Sequence, residues 1–377
     1  MNLFVALLLI FIVLYSAFIL WCTIQWKAIK PVSSDGNFIL PAVTVIIPVR
    51  NEEQNVVNCL NAVTTQQYPS DKIEILVVDD HSEDRTTQEV ENFIIQHPKN
   101  IIRLLKLNTS KGGSKKEAIT YAVQHAGNEI LLTTDGDCIV PDSWIRTFVN
   151  AHSLQDVAFV AGPVSFLSGG GIFGSLQALE MMGLVGIAGA GIQSGKPMMC
   201  NGANISYTKS AFLKVDGFSS GYQLASGDDT QLLIKISGLK NGKMVFVKNS
   251  SALVLGTSVN SLSRLWQQRK RWASKIPVAL TPFTVSVAVV AWFAHALLLA
   301  SLIVSCIQPA GLPFFFVALV CKLGSEFFLL YSVCNQFNNR RLLLLFLPAQ
   351  PLYWLYVTII GILAPFGTYN WKGRNTK

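Results

Sequence analysis

The sequence predicts an α/β fold: a mostly parallel sheet with helices on both faces, joined to transmembrane α-helices. Three observations carry this. Between Pro41 and Asp156, short apolar runs alternate with amphipathic stretches. Acidic clusters stand at the ends of several of those runs. Long uncharged segments flank the block on both sides.

Strands are expected over 43–48, 73–79, 101–107 and 129–134, with helices over 52–65, 84–96 and 115–126. Continuous apolar strands separated by amphipathic helices are the pattern of a parallel sheet buried on both faces. Ligands in such sheets bind beyond the carboxyl ends of the strands. The polar clusters 50–53, 79–84 and 135–137 all follow strand ends. After Asp156 the pattern loosens. Strands are expected over 157–161, 163–166, 244–247 and 252–255, and helices over 210–215 and 230–237. The glycine-rich run 169–174 reads as a flexible loop, and 172–187 as an apolar helix or lip.

Hydrophobic residues make up 51% of the 377 residues, and the mean hydropathy is +0.41. That is too apolar for an ordinary soluble chain. Residues 3–26 carry no charge, and about 20 apolar residues cross a bilayer. They lack the basic start and small-residue cleavage site of a signal peptide. Lys27 and Lys30 follow, with Trp21 and Trp26 at belt positions, which places the next segment in the cytoplasm. Residues 258–275 read as a basic, Trp-containing interfacial helix. Apolar segments follow over 283–307, 312–333 and 342–366. The first two form a hairpin. The third, broken by Pro348, Pro351 and Pro365, reads either as one span or as a kinked re-entrant pair. About four spans result by the 20-residue criterion. The expected organisation is an anchor over 1–30, a cytoplasmic domain over 41–257, an interfacial helix over 258–282, membrane helices over 283–366 and a basic tail over 367–377.

The formal charge of +8 is scattered and accompanies no nucleic-acid motif. It suits anionic lipid headgroups instead. The seven cysteines include no CxxC pair and read as buried hydrophobes.

Five constellations carry chemistry. Asp135-Gly136-Asp137 ends an apolar strand, and its two carboxylates can share a hard divalent cation; an ordinary turn has the same composition. Asp79-Asp80 at another strand end can accept a base N–H or ribose hydroxyl, or can cap the next helix. Lys111 to Lys116 encloses two glycines at a helix start and can cradle phosphates without matching a P-loop. Asp228-Asp229 heads a helix, as a general base or as a cap. Gln268-Arg269-Lys270-Arg271-Trp272 offers a guanidinium for a diphosphate and an indole wall, or a plain membrane anchor. Lys322 and Glu326, four apart in an apolar run, read as a mutual pair facing the interior of the helix bundle, and His295 as a packing residue.

Together these resemble the inverting family 2 glycosyltransferases of the GT-A fold, a Rossmann-like mixed sheet with flanking helices. The resemblance covers roughly residues 41–272, and the flanking segments are similar to those of integral-membrane members. Residues 45–52 look like the family's first strand, Val78-Asp79-Asp80 its uridine-binding pair, and Asp135-Gly136-Asp137 its DxD motif. Gln268, Arg271 and Trp272 match QxxRW. Asp228 stands where the family usually has Glu.

The resemblance implies a nucleotide-sugar donor, UDP-linked, bound by Pro48, Arg50, Glu52, Asp79, Asp80, Lys115 and Asp135. It implies Mg²⁺ or Mn²⁺ held by Asp137 with Asp135. Asp229 is the implied base, with Asp228, Gln268, Arg271 and Trp272 in the catalytic group. Asn201, Gly202 and Asn204 fall on the acceptor side. The implied acceptor is a membrane lipid, a lipid-linked molecule or a polysaccharide, and nucleic acid is not a partner. The implied setting is a bacterial inner membrane with the catalytic domain cytoplasmic. A processive polysaccharide-synthase subunit, a non-catalytic scaffold and a transporter component are the alternatives.

Overall fold

The computed structural model of the chain describes residues 2–32, 40–108, 113–167, 171–218, 228–273, 281–363, 369–371 and 374–376. Helix α1 (Asn2–Ala28) precedes an α/β block. Its first part is β1 (Val43–Val49), α2 (Val56–Thr64), β2 (Ile73–Asp79), α3 (Thr86–Gln96), β3 (Ile101–Lys106), α4 (Lys115–His125), β4 (Ile130–Thr133), α5 (Trp144–His152), β5 (Val157–Ala161) and β6 (Val164–Phe166). Helix α6 (Gly171–Gln193) interrupts it. The block resumes with β7 (Ile205–Thr208), α7 (Lys209–Lys214), α8 (Asp228–Ser237), β8 (Lys243–Phe246) and β9 (Val254–Gly256). Helices α9 (Leu262–Ala273), α10 (Pro282–Ile307), α11 (Leu312–Gln336) and α12 (Phe346–Leu363) follow, then a hairpin of β10 (Tyr369–Trp371) and β11 (Arg374–Thr376).

Among the described residues, seven strands form one sheet in the order β3-β2-β1-β4-β7-β5-β8. The β3-β2-β1-β4 half is parallel, β7 runs antiparallel to both its neighbours, and β5 pairs with β8 in parallel. Alternation along β1 explains the two cores. Val43, Val45, Ile47 and Val49 face one cluster, shared with α2, α3 and α5, while Ile46 faces the other. That second core runs without a break from Ala118 and Ala122 of α4 through Phe159, Tyr207 and Phe246 into Trp26, Val185, Leu329 and Val333 of the long helices.

The expected strands and helices of the first half are present, with ends shifted by a few residues. Elements outside the expected pattern are α5, the four-residue strand β7, and the paired strands β10 and β11 in what was expected as a basic tail. The run 172–187 is part of a 23-residue helix. The loop expected over 169–174 does not extend through Gly174, because α6 starts at Gly171. Its glycines serve close packing. A Cβ at Gly186 would stand 2.9 Å from Val333 Cγ2, and one at Gly189 would stand 2.8 Å from Trp26 Cζ3.

Among the described residues, five helices are long and apolar enough to cross a membrane: α1, α6, α10, α11 and α12, the last two counted with the short turns before them. That is one more than the sequence pattern gave, because glycines and Glu180 dilute the apolar signal of α6. The third apolar segment is a 3₁₀ turn (Arg340–Leu345) followed by α12, with Pro351 inside the helix. Between the helices, Lys322 Nζ bonds Glu326 at 2.6 Å and Gln350 at 2.9 Å, and the Tyr15 hydroxyl donates to Glu326 at 2.6 Å. His295 bonds the Ala291 carbonyl, as a packing residue would.

Candidate active site

The carboxyl edge of the sheet assembles the site from four loops. Two of them, after β1 and β2, are laced together. Asn51 N–H donates to Ser82 Oγ at 3.0 Å, Glu83 N–H to Asn51 Oδ1 at 2.8 Å, and Glu52 N–H to Thr86 Oγ1 at 2.7 Å. Asn51 and His81 adopt left-handed backbone, with φ of 51° and 57°, as short polar side chains at tight turns can. Arg50, buried at 7% exposure, donates to the Asp80 carbonyl at 3.0 Å. Pro48, Arg50, Glu52 and Asp80 thereby line one wall of a cavity of about 630 Å³.

Helix α4 supplies the next group. Ser114 caps it by accepting from Glu117 N–H at 3.3 Å, the Ser-x-x-Glu arrangement of a helix start. Lys115 then stands in the first turn, and its ammonium binds the Asp135 carboxylate at the end of β4. Gly113 sits against Asp80; a Cβ there would fall 2.1 Å from Asp80 Oδ1. Asp135, Gly136 and Asp137 line the cavity beside it.

The unforeseen strand β7 explains how Asp229 arrives. Ile205 at its start pairs with Thr133 at the end of β4, so the turn 201–204 lies at the same carboxyl edge. Gly202 N–H donates to Asp229 Oδ2 at 2.9 Å, and Thr230 N–H to Asp229 Oδ1 at 2.8 Å. A carboxylate has about four acceptor sites. Two main-chain donors therefore fix its plane at the cavity that Asp229 lines.

Helix α9 closes the cavity from the other side. Gln268, Arg269, Arg271 and Trp272 all line it. Gln268 Oε1 accepts from Arg269 at 2.9 Å, and the Arg269 guanidinium lies 4.0 Å over the Trp272 ring. Arg269 is 2% exposed and forms an ion pair with Glu180 of α6. A purely interfacial anchor would leave this cation among headgroups; here it points inward.

Of the residues expected at the site, Pro48, Arg50, Glu52, Asp80, Lys115, Asp135, Asp137, Asn201, Gly202, Asp229, Gln268, Arg271 and Trp272 share this one cavity. Two lie behind it. Asp79 accepts from Ser82 N–H at 3.3 Å, turning its carboxylate to the backbone. Asn204 is fully buried, donating to the carbonyls of Pro163 and Ala252 at 2.7 Å each and accepting from Trp144 Nε1 at 2.8 Å. The side chain of Asp228, and Lys111 and Gly112, lie outside the described residues.

Sequence reasoning missed Glu180 and Tyr356, whose hydroxyl donates to Glu180 at 3.4 Å, and it left Arg269 without a role. Glu180 is the lone acidic residue between Asp156 and Asp216. A single carboxylate in a long apolar run was the available signal.

A hard divalent cation fits the donor set. Asp137 and Asp135 supply carboxylate oxygens, and among the described residues no group of three or more His, Cys, Asp or Glu side chains could hold a metal by itself. Two carboxylates leave the rest of such a shell to oxygens of a bound molecule and water. At the adjacent Cys138, burial, reinforced by the Asp137 and Asp135 carboxylates, raises the thiol well above its ordinary value.

Known proteins give the same reading. The family model "Glycosyl transferase family 2" matches residues 44–214, and "Glycosyl transferase family group 2" matches 130–365. The glycosyltransferase AglE of Haloferax volcanii is 38% identical over 132 residues, 34% of this chain and 40% of that protein. The beta-monoglucosyldiacylglycerol synthase of Synechocystis sp. is 25% identical over 241 residues, 62% of this chain and 47% of that protein. The chain thus spans less than half the length of either relative. Among solved structures, the mannosyltransferase PcManGT of Pyrobaculum calidifontis, in complex with GDP-Man and Mn²⁺, has a TM-score of 0.57. It is 18% identical, with 96% of each chain covered. With the second family model covering more than half of its residues, and the GT-A sheet beneath it, the chain belongs to the family 2 glycosyltransferases.

Proposed function

We propose that the protein is a membrane-bound inverting glycosyltransferase that moves a sugar from a UDP-linked donor to an acceptor hydroxyl at the cytoplasmic face of the membrane. One observation carries the reading. A single cavity is lined by Asp80, Lys115, Asp135, Asp137, Asp229, Arg271 and Trp272 together.

The roles follow from placement. Asp80 and the Arg50 loop receive the nucleoside. Asp137, helped by Asp135, holds Mg²⁺ or Mn²⁺, which when bound offsets the negative charge of the diphosphate. Lys115 offsets the charge of Asp135 beside it. Arg271 adds positive charge on the cavity wall, where guanidinium geometry suits phosphate. Asp229 takes the proton from the acceptor hydroxyl while that oxygen bonds to the anomeric carbon. The bond from that carbon to the diphosphate breaks, and the nucleoside diphosphate leaves with the electron pair. One displacement inverts the configuration.

Detergent-solubilised protein offered UDP-, GDP- and dTDP-sugars should release UDP from one of them, and only with a divalent cation present. Absence of nucleotide release from every donor removes the reading.

A further inference from the structure

The cavity has two chemically different halves. The half described above is rich in charge. The other runs along α6 past Met181, Leu184 and Ala188 and is closed by Val287 and Ala288 of α10 and Ile360 of α12. These three helices are among those long and apolar enough to cross a membrane. At the junction stand Glu180, Arg269 and the Tyr356 hydroxyl, already bonded to one another. An occupant reaching Asp229 from the helix side has a polar end and an apolar chain.

Charge narrows the class further. Among the described residues, six carboxylates and four cations line the cavity: Glu52, Asp80, Asp135, Asp137, Glu180 and Asp229 against Arg50, Lys115, Arg269 and Arg271. A divalent cation brought by the donor is matched by the diphosphate's own charge. Arg269, at the junction through Glu180 of α6, is already ion-paired with that carboxylate. An acceptor phosphate would therefore enter a pocket with surplus negative charge, and like charges in a partly desolvated site repel strongly. A neutral hydroxyl meets no such barrier. It is also the group for which a base at Asp229 has a use, because an ionised phosphate attacks without one.

We propose, resting on the glycosyltransferase reading, that the acceptor is an uncharged lipid alcohol. Its hydroxyl stands at Asp229, and its chain lies in the slot between α6, α10 and α12. The step is the displacement already written: the lipid oxygen gains the sugar, Asp229 takes its proton, and the nucleoside diphosphate leaves.

The test uses the full chain in detergent with its metal and the donor found by nucleotide release. Three probes are compared: a dodecyl-chain neutral glyceride with a free hydroxyl, the same lipid carrying a terminal phosphate, and a butyl-chain analogue of the neutral lipid. The expected kcat/KM is highest for the first and at least about tenfold lower for each of the others, given the chain-length dependence of apolar burial and the charge balance. Ala288→Trp, which fills the slot, should collapse the dodecyl-to-butyl ratio toward one, and Val287→Phe provides the same readout if the first variant does not fold. Equal or better use of the lipid phosphate overturns the neutral-head assignment. Chain-length-independent transfer, efficient transfer to a soluble oligosaccharide, or a ratio that survives filling the slot overturns the tail assignment. Failure to release nucleotide from any donor in the unmodified protein is a different failure, and it defeats the glycosyltransferase mechanism itself.

Discussion

Gly202 and Asp229 are joined by a 2.9 Å hydrogen bond from the glycine N–H to Asp229 Oδ2. The glycine has no side chain to intrude there: a Cβ would stand 3.3 Å from Asp229 Cβ and 3.4 Å from Lys115 Nζ. The turn before β7 thus holds the carboxylate proposed as the base. Asp229→Asn keeps shape and removes the proton acceptor. Transfer should fall by a factor on the order of 10² to 10⁴, while donor affinity, measured by calorimetry with metal present, stays within about twofold of the parent. A variant that still turns over at the parent rate would show that another group takes the proton.

Asp137→Ala removes a hard oxygen ligand where Lys115 already engages Asp135. Donor binding should lose its dependence on Mn²⁺ or Mg²⁺, so titrations with and without chelator become superimposable. Metal-enhanced donor affinity in the variant would place the cation elsewhere.

The Arg269–Glu180 pair is buried on the guanidinium side. Glu180→Leu leaves that cation without its carboxylate and should destabilise the protein by about 3 kcal/mol. The double change Glu180→Leu with Arg269→Met should recover most of this. Thermal melts in detergent decide it: a single variant no less stable than the double contradicts the argument.

Acid should weaken the fold through His152. Burial pulls its imidazole down to about 4, and its ring bonds Ser206 Oγ at 2.8 Å. An unfolded histidine titrates near 6.5. Between these values the unfolded chain binds a proton that the folded chain does not, so stability declines as pH falls through that window. By pH 5 the loss attributable to this side chain is on the order of 2 kcal/mol. His152→Gln should flatten the slope of stability between pH 5 and 7, and identical slopes would exclude the histidine as its source.

Lys322→Met leaves Glu326 held by the Tyr15 hydroxyl and the Gln350 amide without a cation. The expected loss is about 3 kcal/mol, with partial recovery in Lys322→Met combined with Glu326→Gln. Half-lives of inactivation at raised temperature measure both, and a harmless single change would assign the pair no part in holding the helices.

The parallel half of the sheet was legible because its strands are continuous apolar runs and its helices are amphipathic. The DxD carboxylates and the helix bearing QxxRW were legible because their residue types are unusual at those places. The acceptor side was harder. Strand β7 is four residues long and pairs antiparallel between β4 and β5, a partnership no local period encodes. Asp79 and Asn204 have the right residue types, yet local hydrogen bonds turn them away from the cavity. Helix α6 was half legible, since glycines that weaken helix propensity serve as contact points against α1 and α11. The inward turn of Arg269 depends on Glu180, 89 positions earlier, and only folding brings the two together.

At the end of α1, the Trp26 carbonyl accepts from Lys248 Nζ at 2.8 Å, and its ring packs on Phe246 of β8 with centroids 5.8 Å apart. The first helix is thereby tied at that point to β8, the strand at one edge of the sheet, so the distance between the helix and the cavity at the sheet's carboxyl ends is set by the polypeptide itself.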